Sequence, residues 1–200
     1  PYTWNGTLLQ DEISSEITLG SVTFTNIGNN VIKVWTNNPD GFADEETQND
    51  TISGTFYVCN AILAGTYTID PLQPTSGANF QYFADVMSTL QNCGISDTTV
   101  FNIAAGTYDT LLTFGNIPGI GPNASVVFQS ASGVNTDVVL QNNATASADN
   151  YIVKLNAASY IEVKNMTLKA LGNSYGKCVE IAGGSHHLLF EGNIIENPIN

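Results

Sequence analysis

The chain has 200 residues, of which 42% are hydrophobic, enough for one large core or two modest ones. Only 12% of the residues are charged, and five lysines against eighteen acids, with no arginine, give a net charge of −13. Nucleic acids and anionic membrane surfaces attract clustered Lys and Arg, so this balance argues against binding to either. No apolar run is long enough to span a bilayer, so direct membrane insertion is not expected.

Residues 1–65 are predicted to form the C-terminal part of an immunoglobulin-like β-sandwich. Short segments of alternating polarity occur at 16–25 (EITLGSVTFT), 31–36 (VIKVWT) and 54–62 (GTFYVCNAI), separated by Asn- and Gly-rich turns. This spacing is typical of antiparallel strands that each bury one face. The strands are too few for a whole sandwich, so we expect the chain to be a piece of a longer protein.

An acidic loop, NPDGFADEETQND, follows the second of these segments. Calcium prefers carboxylate and carbonyl oxygens from a flexible loop, but the spacing does not match an EF-hand. One interpretation is a polar hairpin loop in which Asn and Asp serve the turns. The other is a Ca²⁺ site, the sole cofactor that the sequence indicates, with ligands from Asp40, Asp44, Glu45 and Asp50.

Residues 66–98 are predicted to be a linker and an amphipathic helix. The period changes at 79–91, where apolar residues recur every three or four positions. Asn79 is the expected N-cap and Gly94 the expected stop. A helix placed just before a repetitive β-structure is expected to cover its first edge. Cys59 and Cys93 could form a disulfide, although buried free thiols are the preferred interpretation for the three cysteines.

Residues 99–200 contain a repeat that predicts the first coils of a right-handed parallel β-helix. Apolar pairs in short strands recur at positions 101, 126, 153 and 179, so that the intervals between them are nearly equal (126−101, 153−126 and 179−153). A second series lies between them, at positions 112, 138, 161 and 188, and a third begins at position 166. Two or three strands in a constant period of this length are typical of a β-helix. The fold class is therefore all-β.

The repeat also predicts charge pairs between successive coils. One step of the second series (188−161) places Glu191 on Lys164, and one step of the first series (179−153) places Glu180 on Lys154. We expect these to be rung-to-rung pairs on a solvated face, each contributing at most about 1 kcal/mol.

The polar residues at the turns of the repeat are predicted to be structural. His186 and His187 fall at the turn that Ser-Tyr occupies one coil earlier, and this interpretation is preferred to catalysis or metal binding. Asn156, Asn165 and Asn193 are candidates for stacked, hydrogen-bonded asparagine ladders.

Several segments together resemble a known family. They are NPDGFADEETQNDT, LAGTYTID, NFQYFADVMSTLQNCGI, VFNIAAGTYDTLLTF, IPGIGPNASVVFQSAS and YIEVKNMTLKA. The chain resembles large secreted surface proteins of the type IX secretion system, in which adhesion-type immunoglobulin-like domains precede a right-handed β-helix of the pectate-lyase-like superfamily. The resemblance implies export by the type IX machinery, a sorting domain beyond this fragment, and a location in the medium or on the outer cell surface.

The same resemblance implies O-linked glycosylation at Asp-Ser/Thr-apolar tripeptides. DTI, DTT and DTL place candidate acceptors at Thr51, Thr98 and Thr110. Asn-x-Ser/Thr triplets also occur and are interpreted as Asn-rich turns.

No catalytic or cofactor-binding constellation is visible in these residues. Lyases of the resembled superfamily use a basic residue beside calcium-binding carboxylates, and related hydrolases use clustered aspartates. We therefore predict a structural or adhesive module that contacts glycans or surface polymers. The alternatives are a carbohydrate-active enzyme, either polysaccharide lyase or glycoside hydrolase, with its active site in later coils, and a spacer that binds nothing.

Overall fold

The structure is a computed structural model that describes residues 3, 5–7, 9, 12–36, 48 and 50–197. Strands make up 45% and helix 8%, which confirms the prediction of a β-rich chain with parallel sheets. The chain divides into two compact units, Pro1–Val58 and Cys59–Asn200, and each is described separately below. The division falls before the boundary at residue 65 that the sequence predicts. No helix among the described residues is long and apolar enough to cross a membrane.

The first unit contains an antiparallel hairpin of β1 (Gly28–Trp35) and β2 (Thr51–Val58). The two strands are in register from Gly28 opposite Val58 to Trp35 opposite Thr51. The predicted strand at 16–25 is not a strand in the structure, although Phe24 stacks on Phe56 of β2 with 6.1 Å between ring centroids. Among the described residues of this unit, no hydrophobic side chain is buried.

The second unit is built from thirteen short strands and one α-helix among its described residues. Its helix is α1 (Phe83–Cys93), and a 3₁₀ turn lies at Ser147–Asp149. The strands are β3 Leu63–Ile69, β4 Asn79–Phe80, β5 Ile95–Ile103, β6 Gly106–Asp109, β7 Leu112–Phe114, β8 Val126–Ser130, β9 Val138–Asn142, β10 Val153–Asn156, β11 Ser159–Lys164, β12 Thr167–Ala170, β13 Val179–Ala182, β14 His186–Glu191 and β15 Ile194–Glu196.

These strands form three parallel sheets. The six-stranded sheet has the order β14-β11-β8-β5-β3-β4, the four-stranded sheet β15-β12-β9-β6, and the three-stranded sheet β13-β10-β7. Each strand pairs with the strand three places later from β5 to β15, so the chain visits the three sheets in rotation. The parallel sheets begin with β3 at Leu63, because β3 pairs with β5. This strand starts before residue 66 and runs into the range that the sequence predicted as linker.

In the predicted strand series, the steps from 101 to 126, from 153 to 179 and from 161 to 188 join strands that pair, whereas the steps from 126 to 153, from 112 to 138 and from 138 to 161 do not. Val126 of β8 pairs with Thr99 and Ile161, not with the strand at 153. Val153 pairs instead with Leu112, across a much longer interval (153−112). Long loops at 115–125, 131–137 and 143–152 lengthen the steps from β6, β7 and β8 to their partners, whereas the step is 27 from β5 to β8 (126−99) and 26 or 27 from β10 onward.

The core lies between the sheets and is continuous with one face of α1. Tyr67, Phe101 and Phe128 stack along the six-stranded sheet, with ring centroids 5.7 and 4.9 Å apart. Phe114 meets Phe128 edge-on at 5.4 Å. Inward residues of successive strands thus bury one another, which is the main source of stability in stacked repeats.

The helix begins later than predicted. Tyr82 is its N-cap, Gly94 ends it with φ 72° as predicted, and it packs against β3, β4 and β7. Asn79 is not the cap, because its side chain serves the loop before the helix. Its amide group donates to the backbone carbonyls of Asp70, Gln73 and Pro74, and its oxygen accepts from the Thr68 hydroxyl.

A disulfide joins Cys59 to Cys93, so the preferred prediction of free thiols at these positions is wrong. The pairing of Leu63 with Ile95 in β3 and β5 brings the residues that precede these strands together, with 5.6 Å between the two cysteine Cα atoms. Cys178 is a buried free thiol, and burial raises its pKa. A low reactivity is therefore expected for it.

Candidate functional site

Polar side chains form an unbroken column on the outer face of the six-stranded sheet. This column, called column I, consists of Asn79, Thr68, Asn102, Gln129, Lys164 and Glu191, which follow one another in strand register. Neighbouring members are also joined by side-chain bonds. The Thr68 hydroxyl donates to Asn79 Oδ1 at 2.6 Å, and the Gln129 amide donates to Asn102 Oδ1 at 2.8 Å.

The other two sheets carry shorter columns of the same kind. Column II consists of Asp109, Gln141, Lys169 and Glu196, and column III of Thr113, Lys154 and Glu180. In column II the Gln141 amide donates to Asp109 Oδ1 at 2.9 Å. In column III the Thr113 hydroxyl lies 2.9 Å from the Tyr151 hydroxyl. Each column ends with a lysine followed by a glutamate.

The lysine–glutamate pairs confirm the predicted charge register. Lys154 Nζ lies 2.8 Å from Glu180 Oε1, and Lys164 Nζ lies 3.9 Å from Glu191 Oε2. Lys164 is closer to Glu162 of its own strand, at 2.6 Å, so its pairing with Glu191 is the weaker contact.

Two further ion pairs were not anticipated. Lys169 lies 2.9 Å from Glu196, which occupies the same place on the next strand of its sheet, and Lys177 lies 2.6 Å from Glu180. The first was available in the sequence, because the third strand series aligns these two residues. The four described lysines of the second unit are thus all paired with carboxylates.

Of these residues, Glu180 has the largest shift in pKa. Hydrogen bonds from Lys154 and Lys177 lower the pKa of Glu180 to about 2. The hydrogen bond with Glu180 likewise raises the pKa of Lys154 above its usual value. The same interaction therefore favours the charged form of both partners.

The two histidines lie at the start of β14, directly after a turn rather than within it. His186 pairs with Ser159 in the preceding strand of the sheet, as the sequence alignment places it. His186 Nδ1 and His187 Nδ1 are 2.6 Å apart. The ring of Tyr160 stacks on that of His187, with centroids 4.6 Å apart and an interplanar angle of 15°.

The predicted asparagine ladder is wrong for the three residues named for it. Asn156 and Asn165 lie against Gly183 and Gly192, which directly follow β13 and β14 and offer no amide side chain to bond. Asn193 bonds to backbone, accepting from the Met166 N–H at 3.1 Å and donating to the Val163 carbonyl at 2.7 Å. The neutral amide pair that does form is Gln129 on Asn102.

The predicted calcium loop falls mostly outside the described residues. Asp40, Asp44 and Glu45 lie there, so the prediction stays a prediction. Asp50 is described at the base of the loop, where its carboxylate accepts from the Thr36 hydroxyl at 3.3 Å. Within the described ranges, no three His, Cys, Asp or Glu side chains are grouped as a metal site would require.

The candidate glycosylation sites differ in accessibility. Thr51 is exposed at the first position of β2. Thr98 is half-buried, and its hydroxyl accepts a hydrogen bond from the Ser125 N–H at 3.3 Å. Thr110 is also half-buried. Of the three, Thr51 offers its hydroxyl most freely to a transferase.

Comparisons with protein-family models, with curated proteins and with solved structures found no match to this chain. The interpretation of the columns therefore depends on their own chemistry. Amide, hydroxyl and paired ionic groups at strand spacing can hydrogen-bond a long neutral polymer at several successive points.

Proposed function

We propose that the second unit is the beginning of a right-handed parallel β-helix, preceded by part of an immunoglobulin-like β-sandwich, in a secreted structural or adhesive protein that contacts glycans. The rotation of the chain through three parallel sheets supports the β-helix assignment. The antiparallel hairpin of β1 and β2 is compatible with a sandwich.

An extracellular location is supported by the disulfide between Cys59 and Cys93. Disulfides persist in oxidising compartments and are rare in the cytosol. Export by the type IX machinery depends on the sequence resemblance alone. The net charge of −13 is compatible with this setting, since it disfavours anionic partners.

Column I is the observation that carries the adhesive function. Its first four members are neutral, and its sheet is the widest of the three. The Asn79 side chain is engaged by the chain itself, so Thr68, Asn102 and Gln129 are the members offered to a ligand.

Six strands at about 4.8 Å spacing give a face roughly 24 Å wide across the strands. Because Lys164 is paired with Glu162 and more weakly with Glu191, the face presents hydrogen-bonding groups without a strong local field. Neutral glycans are the ligand class that this surface fits.

The test is binding of the whole chain to immobilised neutral polysaccharides and to uronic-acid polymers of similar length. The informative variant is Asn102→Val with Gln129→Val, because replacing both partners of a bond by apolar residues costs little stability. Thr113→Val with Gln141→Val is the control, since it alters the other two sheets and removes the side-chain partners of Tyr151 and Asp109 there.

We expect binding to neutral glycans that weakens at least tenfold in the first variant and persists in the control. Equal binding by both variants would contradict the assignment of the ligand face. Release of reducing or unsaturated sugars by the wild type would instead support the carbohydrate-active enzyme. Failure to bind any polymer would leave the spacer as the better description.

A further inference from the structure

His186 and His187 direct two imidazole nitrogens to one point on the surface. Both side chains are exposed, and their Nδ1 atoms are 2.6 Å apart. Successive residues of a strand normally point to opposite faces. His187 has φ 53°, in the left-handed region, which breaks this alternation. Neighbouring histidines therefore converge where an ordinary strand would separate them.

The surrounding structure holds the two rings in place. Ala182 to Ser185 form a tight turn whose two central glycines have φ 62° and 74°, closed by the Ser185 N–H on the Ala182 carbonyl at 3.2 Å. The Ser185 hydroxyl accepts from the Ala158 N–H at 3.0 Å, and the His186 N–H donates to the Ala158 carbonyl at 3.1 Å. The backbone that carries the imidazoles is thus fixed on the preceding strand.

Tyr160 orients the imidazoles from the preceding strand. Its ring is stacked on His187 and meets His186 edge-on, with 5.9 Å between centroids and an angle of 85°. Tyr160 itself has φ 54° and occupies, one step of the repeat earlier, the place that His187 takes (187−160). The same unusual backbone thus places an aromatic ring at both levels.

The left-handed conformation at His187 is costly for a residue with a side chain. At two other left-handed positions, Ala157 and Asn165, the equivalent residue one step of the repeat later is a glycine, Gly184 or Gly192. At His187 the chain keeps an imidazole, at a cost of about 1–2 kcal/mol. The strain alone does not indicate a function, because Ala157 has the same conformation; the convergence of the two nitrogens is the feature that indicates a binding site.

We propose that His186 and His187 bind one divalent transition-metal ion through their Nδ1 atoms, with Cu²⁺ preferred. Imidazole nitrogen suits Cu²⁺, Ni²⁺ and Zn²⁺, whereas Ca²⁺ and Mg²⁺ take oxygen ligands. The ion takes the place of the hydrogen bond between the two nitrogens, and water fills its other positions. This site is independent of glycan binding on column I.

The distance between the nitrogens is short enough for both to bind one ion after a small movement of the rings. With metal–nitrogen bonds of about 2.0–2.1 Å, tetrahedral Zn²⁺ needs its ligands about 3.3 Å apart. Neighbouring ligands in a square-planar or tetragonal site are about 2.9 Å apart. The observed 2.6 Å is shorter than either value, so any bound ion must move the rings apart, and the movement is smaller for a tetragonal site. Cu²⁺ also binds most strongly among first-row divalent ions.

The experiment uses the untagged whole chain, which has only two histidines, so every imidazole–metal signal comes from this pair. Cu²⁺ is titrated by calorimetry. The number of imidazoles bound to the ion is then measured by electron spin-echo envelope modulation, which detects the coupled nitrogen nuclei. The variants are His186→Gln, His187→Gln and the double variant, which keeps every carboxylate and so measures background binding. We expect one Cu²⁺ with two imidazoles in the wild type, and at least tenfold weaker binding with one imidazole in each single variant.

His187→Gly separates metal binding from a purely structural role. Glycine adopts positive φ without strain, so this variant should remain folded by circular dichroism while losing at least tenfold in Cu²⁺ affinity. The proposal is overturned if His187→Gly or the double variant binds Cu²⁺ like the wild type. It is equally overturned if the wild-type spectrum shows fewer than two imidazoles, or if Zn²⁺ binds as tightly as Cu²⁺.

Discussion

Glu180 lies over Lys154 of the neighbouring strand, with 2.8 Å between Oε1 and Nζ, and its other oxygen is 2.6 Å from Lys177 Nζ. Two cations thus share one carboxylate. The other interstrand pairs of the columns have a single lysine for each glutamate. Glu180 is therefore the residue of the columns whose ionisation should affect stability most.

Stability is expected to depend on the ionisation of Glu180 at acid pH. Its pKa in the folded chain is about 2, below the ordinary value of 4.5, so the folded state holds the charged form more strongly. The resulting stabilisation is fully present above pH 4.5 and is lost as the pH falls toward 2. The free energy of unfolding, measured with urea, should be higher for the wild type than for Glu180→Gln at neutral pH, and the two values should converge in strong acid. Glu196→Gln, which removes a singly paired carboxylate, is the control and should show a smaller difference. A difference in the free energy of unfolding that does not change with pH would refute the view that the ionised carboxylate of Glu180 stabilises the fold.

Gly183 and Gly184 offer a matched test of close approach between neighbouring strands. Both have positive φ, so an alanine at either position costs about 1–2 kcal/mol of backbone strain. A Cβ at Gly183 would also collide with the Asn156 side chain and the Ala157 backbone nitrogen, whereas one at Gly184 meets nothing within 4 Å.

We expect Gly183→Ala to lower the free energy of unfolding by about 1–3 kcal/mol more than Gly184→Ala. Chemical denaturation of both variants measures the difference. Equal losses would mean that β13 and β10 do not approach as closely as described.

Removing the disulfide should destabilise the second unit. The two cysteines have a sequence separation of 34, and the chain-entropy estimate for such a loop is about 4 kcal/mol, of which real proteins often show less. The double variant Cys59→Ser/Cys93→Ser avoids an unpaired thiol. We expect its Tm to fall below that of the wild type and to be insensitive to reductant, while reductant lowers the wild-type Tm.

Thiol counting provides the control for the disulfide. The unfolded wild type should react as one free thiol, Cys178, before reduction and as three afterwards. Three reactive thiols without reduction would show that the bond does not form.

Calcium binding by the loop between β1 and β2 is directly testable. Calcium sites of extracellular modules bind with Kd of about 0.1–1 mM. Calorimetry should detect one site in this range in the wild type and none in Asp40→Asn/Asp44→Asn. If Mg²⁺ gives the same heat of binding as Ca²⁺, or if the variant still binds Ca²⁺, the interpretation as a polar hairpin loop is favoured.

The sequence predicted the late part of the second unit well because local pattern and long-range register agree there. From Val153 onward the step stays at 26 or 27, so alignment of the apolar pairs also aligned Lys154 with Glu180 and Lys164 with Glu191. Upstream, the loops change length from one interval to the next. A fixed period then assigns Val126 to the wrong sheet, because strand partners are chosen by packing of the core and not by spacing.

The histidine pair shows a different limit of sequence reasoning. The sequence placed His186 and His187 at a turn with a structural role, and nothing in it predicted that their side chains converge. Their meeting depends on the positive φ of His187, which the sequence does not signal, since left-handed positions are normally read from glycine or asparagine. Asn79 is the converse case. It was chosen as a cap by residue type, but tertiary contacts to the 70–74 loop use its side chain instead.

The alternation of charge between successive levels bears on how copies of this chain avoid each other. Three lysines, Lys154, Lys164 and Lys169, lie on β10, β11 and β12, and their glutamate partners lie on β13, β14 and β15. In amyloid-like stacking, identical segments of different molecules lie in register, one above another. Such stacking would set each lysine against its own copy and each glutamate against its own copy, and like charges directly opposite are destabilising. Only the native order of levels brings opposite charges together. The columns thus disfavour in-register stacking of identical strands from different molecules.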